Sequence, residues 1–243
     1  MTILLNIFLW TYFLLGFSIS ENPPEAHSPI RILFIGNSLT YTNNLPAMVQ
    51  EIGKRDSVQI GYTTIALPNY SLEDHWNNGN IQTEITEGNY DFVVAQQGPS
   101  AQPASQVLLI AYAKKMNELC KKNDTRLCLF TVWPSKQRSF DLDGVIASYK
   151  TAAEQTKSLI APAGLSWKYA WQKDSDLPLY GPDEFHPSIA GSFLAALTIY
   201  ASLKEKKDLN FLDGDRASLE NISQTQTTIF KAAVLKALEQ TSN

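Results

Sequence analysis

The sequence predicts a three-layer α/β/α sandwich built around a parallel sheet of five strands. Five apolar runs of four to eight residues alternate with segments of helical periodicity across residues 32–161. Runs this short, without alternating polar positions, are typical of strands that are buried on both faces. The alternation of strands and helices favours parallel strands whose connecting helices cover the sheet. A chain of 243 residues that is 44% hydrophobic is large enough to bury such a core in one domain.

The predicted elements follow one another in a regular order. The strands lie at residues 32–35, 58–65, 92–95, 127–133 and, with a weaker pattern, 158–161. The helices between them lie at residues 45–54, 81–86, 104–121 and 145–157. A long apolar helix at 188–204 follows Pro187, and an amphipathic helix is predicted at 222–238. Residues 30–205 therefore form the predicted domain, and residues 206–243 form a C-terminal helical extension.

The N-terminus carries an apolar stretch at residues 3–17, in which only Asn6, Thr11 and Gly16 are not apolar. That length fits the apolar region of a secretory signal peptide better than a membrane span, which needs about 20 apolar residues. We therefore expect a signal peptide at 1–20, a linker at 21–29 and a secreted or periplasmic protein. No Lys or Arg precedes the apolar stretch, which leaves an uncleaved membrane anchor as one alternative. A buried helix of the fold is the other.

The charge balance and the cysteine count exclude several function classes. Lys and Arg number 20 against 24 Asp and Glu, which gives a net charge of −4. This balance argues against the basic surface that nucleic-acid binding needs. With three histidines and neither an HExxH nor a CxxC pattern, we expect no metal site and no cofactor. Cys120 and Cys128 are the only cysteines, and they can form one bridge or remain free thiols.

A serine follows the first predicted strand, in the run Gly36-Asn37-Ser38-Leu39-Thr40. Ligand sites of parallel sheets lie at the carboxyl ends of the strands, so Ser38 is a candidate nucleophile. The alternative is that Ser38 only caps the helix that follows.

An aspartate and a histidine lie three residues apart just before the helix at 188–204. A serine hydroxyl needs a base, and that base needs a group that holds its tautomer. The spacing lets the Asp183 carboxylate reach Nδ1 of His186 while Nε2 faces outward. The alternative is a helix-capping aspartate beside a surface histidine. Because both clusters are predicted at the active-site edge of the sandwich, their joint occurrence favours catalysis.

These residues carry a family resemblance. Residues 32–40 and 183–187 resemble the first and last sequence blocks of the SGNH hydrolase superfamily, also called GDSL-like esterases and lipases. Residues 131–134 and Gly191 add supporting matches, and the resemblance covers about residues 30–205. It implies a flavodoxin-like sandwich and ester hydrolysis through an acyl-enzyme. In this scheme Ser38 attacks, His186 is the general base and acid, and Asp183 orients it.

The middle of the chain departs from that superfamily and resembles a divergent branch of it. The third block, a Gly-x-Asn-Asp turn that supplies an oxyanion-hole asparagine, is absent, and the third strand instead ends in Gln96-Gln97. Gln96 or Gln97 is the candidate replacement donor, with Asn69 or a nearby backbone N–H as a second one. The alternative is that the two glutamines only satisfy loop backbone. His75, in a Leu-x-x-His segment, is expected to be a structural or pocket residue.

The predicted function is an exported serine hydrolase that cleaves a carboxylic ester, with an acetyl or other short acyl group on a carbohydrate or another small molecule. One alternative is an acyltransferase with the same triad, and another is a non-catalytic carbohydrate-binding protein. Four tryptophans invite a sugar-stacking platform, although aromatic residues at such positions are more often core. They are Trp76, Trp133, Trp167 and Trp171.

Overall fold

The computed structural model describes residues 28–213 and 222–241 and contains one parallel sheet of five strands. The strands are β1 (Ile30–Gly36), β2 (Ile60–Ala66), β3 (Phe92–Ala95), β4 (Arg126–Phe130) and β5 (Leu159–Ala161). They are arranged in the order β2-β1-β3-β4-β5, and every neighbouring pair is parallel. The predicted three-layer, flavodoxin-like fold class is therefore confirmed.

Nine helices are described in the same two segments. They are α1 (Ser38–Tyr41), α2 (Leu45–Arg55), α3 (Leu72–Asn78), α4 (Asn80–Glu87), α5 (Pro103–Lys122), α6 (Leu142–Thr156), α7 (Ala163–Lys173), α8 (Ile189–Leu203) and α9 (Gln224–Thr241). Short 3₁₀ turns lie at Thr42–Asn44, Lys136–Asp141 and Asn210–Leu212.

The sequence does not predict α1, α3 and α7. Helix α3 has only seven residues and begins at a capping box between Ser71 and Asp74. Helix α7 is buried along most of its length, so it carries no polar face that would reveal a helical period. The predicted strand at 127–133 is also too long, since β4 ends at Phe130 and the chain then leaves the sheet.

The strand order places a topological switch point between β1 and β3. From β1 the chain runs first to β2 on one side and then to β3 on the other. Both strands are apolar and fully buried from Ile32 to Ile35 and from Val93 to Ala95. Connections that leave β1 and β3 in opposite directions open a crevice at the carboxyl edge, where ligands bind in such sheets.

Helix α8 fixes the segment that precedes it. All its residues except Ile189 are buried, and it packs against α2, α7, α9 and β5. A helix enclosed in this way has little freedom to move, so the loop that ends at Ser188 has a rigid attachment.

The C-terminal helix is part of the same core. Helix α9 packs against α7 and α8, and its Phe230 and Val234 are fully buried. The Phe230 ring lies 6.2 Å from the ring of Phe193 on α8, centroid to centroid.

Cys120 and Cys128 are both buried free thiols, and burial raises the pKa of each to about 12.

The predicted signal peptide at 1–20 and all but the last two residues of the predicted linker at 21–29 lie outside the described residues. Within 28–213 and 222–241, no helix combines the length and apolar character that crossing a membrane requires.

Candidate active site

Ser38 is the first residue of α1, directly beyond the carboxyl end of β1. The cap of this helix is Asn37, whose Oδ1 accepts a hydrogen bond from the Leu39 N–H at 3.1 Å. Ser38 is therefore not the capping residue. Its hydroxyl has no hydrogen-bond partner among the described residues, and its side chain is half-buried at the edge of the sheet.

Gly36 allows the turn between β1 and α1 to pass close to the side chains of Thr40 and Gln96. A Cβ atom at Gly36 would lie 2.3 Å from Thr40 Oγ1 and 2.6 Å from Gln96 Nε2. No side chain fits in that space without displacing both atoms.

Gln96 lies beside Ser38 but faces inward. It is fully buried, and its Nε2 donates to Asn37 Oδ1 at 2.8 Å and to Thr40 Oγ1 at 2.9 Å. Its Oε1 accepts from the Gly98 N–H at 2.5 Å. Both amide hydrogens are thus engaged, so Gln96 ties the turn after β3 to the turn that carries Ser38.

Gln97 faces the start of α5. Its Nε2 donates to Ser100 Oγ at 3.0 Å and to the Ser105 carbonyl at 2.9 Å. Its backbone N–H donates to the Tyr149 hydroxyl, which in turn donates to the Gly98 carbonyl. In this arrangement neither predicted glutamine has an amide hydrogen free for a substrate.

Asn69 is exposed in the tight turn after β2. Tyr70 N–H donates to the Leu67 carbonyl at 3.2 Å, and Asn69 has a positive φ of 63°. Pro68 before it suits a type II turn, in which the third residue has a positive φ. The turn contacts the Ser38 region, since Asn37 Nδ2 donates to the Tyr70 carbonyl at 3.2 Å. The Asn69 side chain has no hydrogen-bond partner within residues 28–213 and 222–241.

His75 hydrogen-bonds to Gly36, the last residue of β1, directly before the turn that carries Ser38. Its Nε2 lies 2.7 Å from the Gly36 carbonyl oxygen, and the residue is only 1% exposed. Burial lowers the pKa of His75, which favours a neutral ring with the proton on Nε2. This geometry supports the structural interpretation of His75.

Asp183 and His186 form a close carboxylate–imidazole pair. His186 Nδ1 lies 2.5 Å from Asp183 Oδ2, and Asp183 Oδ1 accepts from the backbone N–H groups of Phe185 and His186. Hydrogen bonds lower the pKa of Asp183 to about 2. The largest effect comes from the His186 side chain, and the next from the Phe185 backbone N–H. The carboxylate therefore stays ionised and engages Nδ1 of His186, while Nε2 has no hydrogen-bond partner among the described residues.

The loop that carries this pair is fastened at several points. Gly181 N–H donates to the His186 carbonyl at 2.7 Å, and Lys136 N–H donates to the Glu184 carbonyl at 2.8 Å. Trp133, just beyond β4, donates from its indole N–H to the Phe185 carbonyl at 3.3 Å. The contact between Trp133 and Phe185 joins the loop to the carboxyl edge of the sheet.

Asn43 links the serine segment to the histidine segment. Its Nδ2 donates to the Pro187 carbonyl and to Ser192 Oγ, both at 2.9 Å. Asn43 lies five positions after Ser38, and Pro187 directly follows His186, so the two candidate clusters lie at one edge of the sheet. Among the described residues no hydrogen bond joins the Ser38 hydroxyl to the His186 ring.

Sequence reasoning did not single out Asn37, Asn43 or Trp133 for these contacts. The preference for asparagine at helix caps is a signal for Asn37. No local pattern points to Asn43, whose partners lie 144 and 149 residues away.

Two of the four tryptophans are core residues. Trp133 and Trp167 are fully buried and stack on each other, with centroids 3.6 Å apart. Trp76 and Trp171 are half-buried. In the described part of the chain, no cluster of His, Cys, Asp or Glu could hold a metal ion.

No protein-family model and no curated protein sequence matches this chain. Solved structures do match it. A candidate SGNH hydrolase from Slackia heliotrinireducens is 25% identical, with a TM-score of 0.63, and the match covers 72% of this chain and 100% of that one. The fold is that of the SGNH hydrolase superfamily. The predicted superfamily resemblance is therefore confirmed.

Two further solved structures show how far the likeness in fold extends. A DUF4886 family protein from Bacteroides uniformis is 16% identical, with a TM-score of 0.74, over 89% of this chain and 97% of that chain. An acetyl xylan esterase, AlAXEase, is 13% identical, with a TM-score of 0.58, over 72% of this chain and 100% of its own. Residues 30–205 are 176 of the 243 residues, or 72%. The fold shared with the DUF4886 protein therefore extends beyond that range.

Proposed function

We propose that this protein is a serine esterase that hydrolyses a carboxylic ester, with Ser38 as nucleophile, His186 as general base and acid, and Asp183 as the group that orients His186. The observation that carries this proposal is the hydrogen-bonded Asp183–His186 pair at the same sheet edge as Ser38. Ser38 is half-buried, and its hydroxyl has no hydrogen-bond partner among the described residues. Nδ1 of His186 is occupied by Asp183, so Nε2 is the nitrogen available to take a proton.

In the first half-reaction, Ser38 Oγ bonds to the ester carbonyl carbon as its proton passes to His186 Nε2. The tetrahedral intermediate then collapses, the bond to the alcohol oxygen breaks, and Nε2 gives its proton to the departing alcohol. An acyl-enzyme on Ser38 remains. Catalytic hydrogen bonds of this kind often tighten only when substrate is bound, so we expect the contact between Ser38 and His186 to form in the complex.

In the second half-reaction a water molecule replaces the alcohol. His186 Nε2 takes a proton from the water as its oxygen bonds to the acyl carbon. The intermediate collapses to release the carboxylic acid, and the proton returns to Ser38 Oγ. The Asp183 carboxylate stays ionised throughout and stabilises the imidazolium.

The oxyanion of each intermediate needs hydrogen-bond donors. The Ser38 backbone N–H is one candidate, because the first N–H groups of a helix have no acceptor within it. The second candidate is the Asn69 amide, which the turn after β2 holds near Asn37. The two glutamines are weaker candidates, since each has its amide hydrogens engaged.

We propose a short acyl group such as acetyl, on a carbohydrate carrier. A cavity of about 300 Å³ lies between the segments 99–102 and 134–141 and reaches Phe185, next to His186. Its volume is at the lower limit of ligand sites, about 300–1,000 Å³, which suits a small group. One of the structurally similar proteins is named an acetyl xylan esterase.

The experiment compares hydrolysis of 4-nitrophenyl acetate and of an acetylated xylo-oligosaccharide by the wild-type protein and by Ser38→Ala. We expect turnover by the wild type and a loss of about 10⁶-fold in kcat in the variant. Equal rates in the two proteins would contradict the assignment of the nucleophile.

A second experiment tests acyl transfer. An unacetylated sugar is added, and the division of the acyl group between water and the sugar is measured. We expect free acetate as the main product.

We also propose that residues 1–20 direct export and are removed. Expression of the whole chain, followed by mass measurement of the exported protein, tests this. We expect the mass of a chain that begins after residue 20. A full-length protein retained in the membrane fraction would contradict removal of the segment.

A further inference from the structure

We propose that a groove beside the His186 loop binds the carbohydrate part of the ester. This proposal rests on the proposed function and adds a subsite for the carrier to it. This aromatic groove is lined by the segment 175–182, Glu184, Trp171 and the 136–139 turn, and its volume is about 630 Å³. It is larger than the cavity next to Phe185 and lies where the α7–α8 connection meets the turn after β4.

Two aromatic rings lie side by side in the groove. The centroids of Trp171 and Tyr180 are 5.5 Å apart, and their planes are inclined by 32°. Both rings are half-buried, so each also has an accessible part.

The polar atoms of both rings are engaged within the protein. The Trp171 indole N–H donates to the Leu177 carbonyl at 3.1 Å, and the Tyr180 hydroxyl donates to the Pro134 carbonyl at 2.8 Å. These bonds fix the orientation of the rings and leave mainly apolar ring surface for a ligand. The C–H groups on one face of a pyranose carry partial positive charge, which the negative face of an aromatic ring attracts.

The rim of the groove provides hydrogen-bonding groups for sugar hydroxyls. Ser139, Ser175 and Asp176 line it, together with the ion pair between Lys136 Nζ and Glu184 Oε1 at 2.7 Å. Two carboxylates against one ammonium group disfavour an anionic ligand. An aromatic floor with a polar, slightly acidic rim therefore fits a neutral sugar better than a fatty acyl chain or a uronic acid.

The groove is adjacent to the catalytic loop. Glu184 lines the groove and directly follows Asp183, and the same loop reaches His186 two residues later. A chain of sugar units bound here would lie beside the loop that carries the proposed base.

The test compares Trp171→Ala with Trp76→Ala, which removes another half-buried tryptophan that does not line the groove. For Trp171→Ala we expect an increase of about tenfold in KM for an acetylated xylo-oligosaccharide, with kcat nearly unchanged. We expect kcat/KM for 4-nitrophenyl acetate, which has no sugar, to stay at the wild-type value. Tyr180→Phe keeps the ring and should retain most of the affinity, and Trp76→Ala should leave the KM for the sugar ester unchanged.

A binding measurement separates this proposal from the esterase proposal. Titration calorimetry of Ser38→Ala with an unacetylated xylo-oligosaccharide needs no turnover, and we expect binding that is lost when Trp171→Ala is added. No binding to Ser38→Ala, or equal binding with and without Trp171, would overturn the carrier subsite even if esters are hydrolysed. Binding that depends on Trp171, without hydrolysis of either ester, would leave the subsite in place and overturn the esterase.

Discussion

Asp183 carries the strongest electrostatic signal of the candidate site. Its Oδ2 contacts His186 Nδ1, its Oδ1 accepts two backbone N–H groups, and its pKa falls to about 2. Because the folded pKa lies below the ordinary value of 3.8, the stability that this pair contributes is present above about pH 4. It is lost as the pH falls through about 2.

The first prediction concerns Asp183→Asn. An asparagine keeps the size of the side chain but favours the wrong tautomer of His186, so we expect kcat to fall by about 10⁴-fold. The matched control is Asp143→Asn, which removes an exposed carboxylate paired with Lys168 and should leave kcat unchanged. Steady-state kinetics with 4-nitrophenyl acetate measures both. Equal effects of the two substitutions would contradict the role of Asp183.

The second prediction separates Gln96 from Asn69. Gln96→Ala leaves the buried Gly98 N–H without its acceptor, so we expect a loss of about 1–3 kcal/mol in the free energy of unfolding together with lower activity. Asn69→Gly keeps the positive φ and removes only an exposed amide. For it we expect unchanged stability and a loss of about 100-fold in kcat.

Urea titration and kinetics on both variants decide between the two roles. If Gln96→Ala kept full stability and lost activity by 100- to 1,000-fold, Gln96 would be the oxyanion donor instead.

The sequence is informative about Ser38, Asp183 and His186 because each belongs to a short block with a fixed spacing. It is less informative about Gln96 and Gln97. The direction of a glutamine amide depends on acceptors from distant segments, here Thr40 and Ser105, which no local pattern reveals.

At the scale of elements, the turn between β1 and α1 depends on the absence of a side chain at Gly36. The atoms that a Cβ would meet, Thr40 Oγ1 and Gln96 Nε2, are hydrogen-bonded to each other at 2.9 Å. The strand pattern predicts β1 and β3 well, because both are continuous apolar runs. It does not predict α7, since a helix buried on most sides lacks the period that reveals an amphipathic one.

The third prediction compares Gly36→Ala with Gly61→Ala. Both glycines lie in strands, β1 and β2, but a Cβ at Gly61 would meet no atom within 4 Å. We expect Gly36→Ala to lower the free energy of unfolding by about 1–3 kcal/mol, through overpacking against the Gln96 network. Gly61→Ala should be neutral or slightly stabilising. Urea midpoints measure both, and a neutral Gly36→Ala would show that the turn adapts to the added methyl group.

At the scale of the whole molecule, α9 completes the layer formed by α7 and α8. The sequence predicts α9 and α8, but it does not predict α7, against which α9 also packs. Phe230 is fully buried against Phe193, and Tyr169 on α7 donates to Gln240 on α9. The C-terminal extension is thus packed onto the layer that holds α8 and, through α8, the His186 loop.

The fourth prediction concerns that packing. Phe230→Ala leaves a cavity in the core, so we expect the free energy of unfolding to fall by about 3–5 kcal/mol. Val107→Ala truncates an apolar side chain that is 66% exposed and should change stability by no more than about 0.5 kcal/mol. Denaturant unfolding followed by tryptophan fluorescence measures both. Similar values for the two variants would mean that α9 contributes little to the core.

The fifth prediction tests the central claim, which is that Ser38 is a nucleophile activated by His186. A fluorophosphonate forms a covalent adduct only with an activated serine, and the adduct can be located by peptide mass spectrometry. We expect one adduct on the wild-type protein, on the peptide that contains Ser38, and none on Ser38→Ala or His186→Ala. An unlabelled wild-type protein, or labelling that persists in Ser38→Ala, would contradict the account.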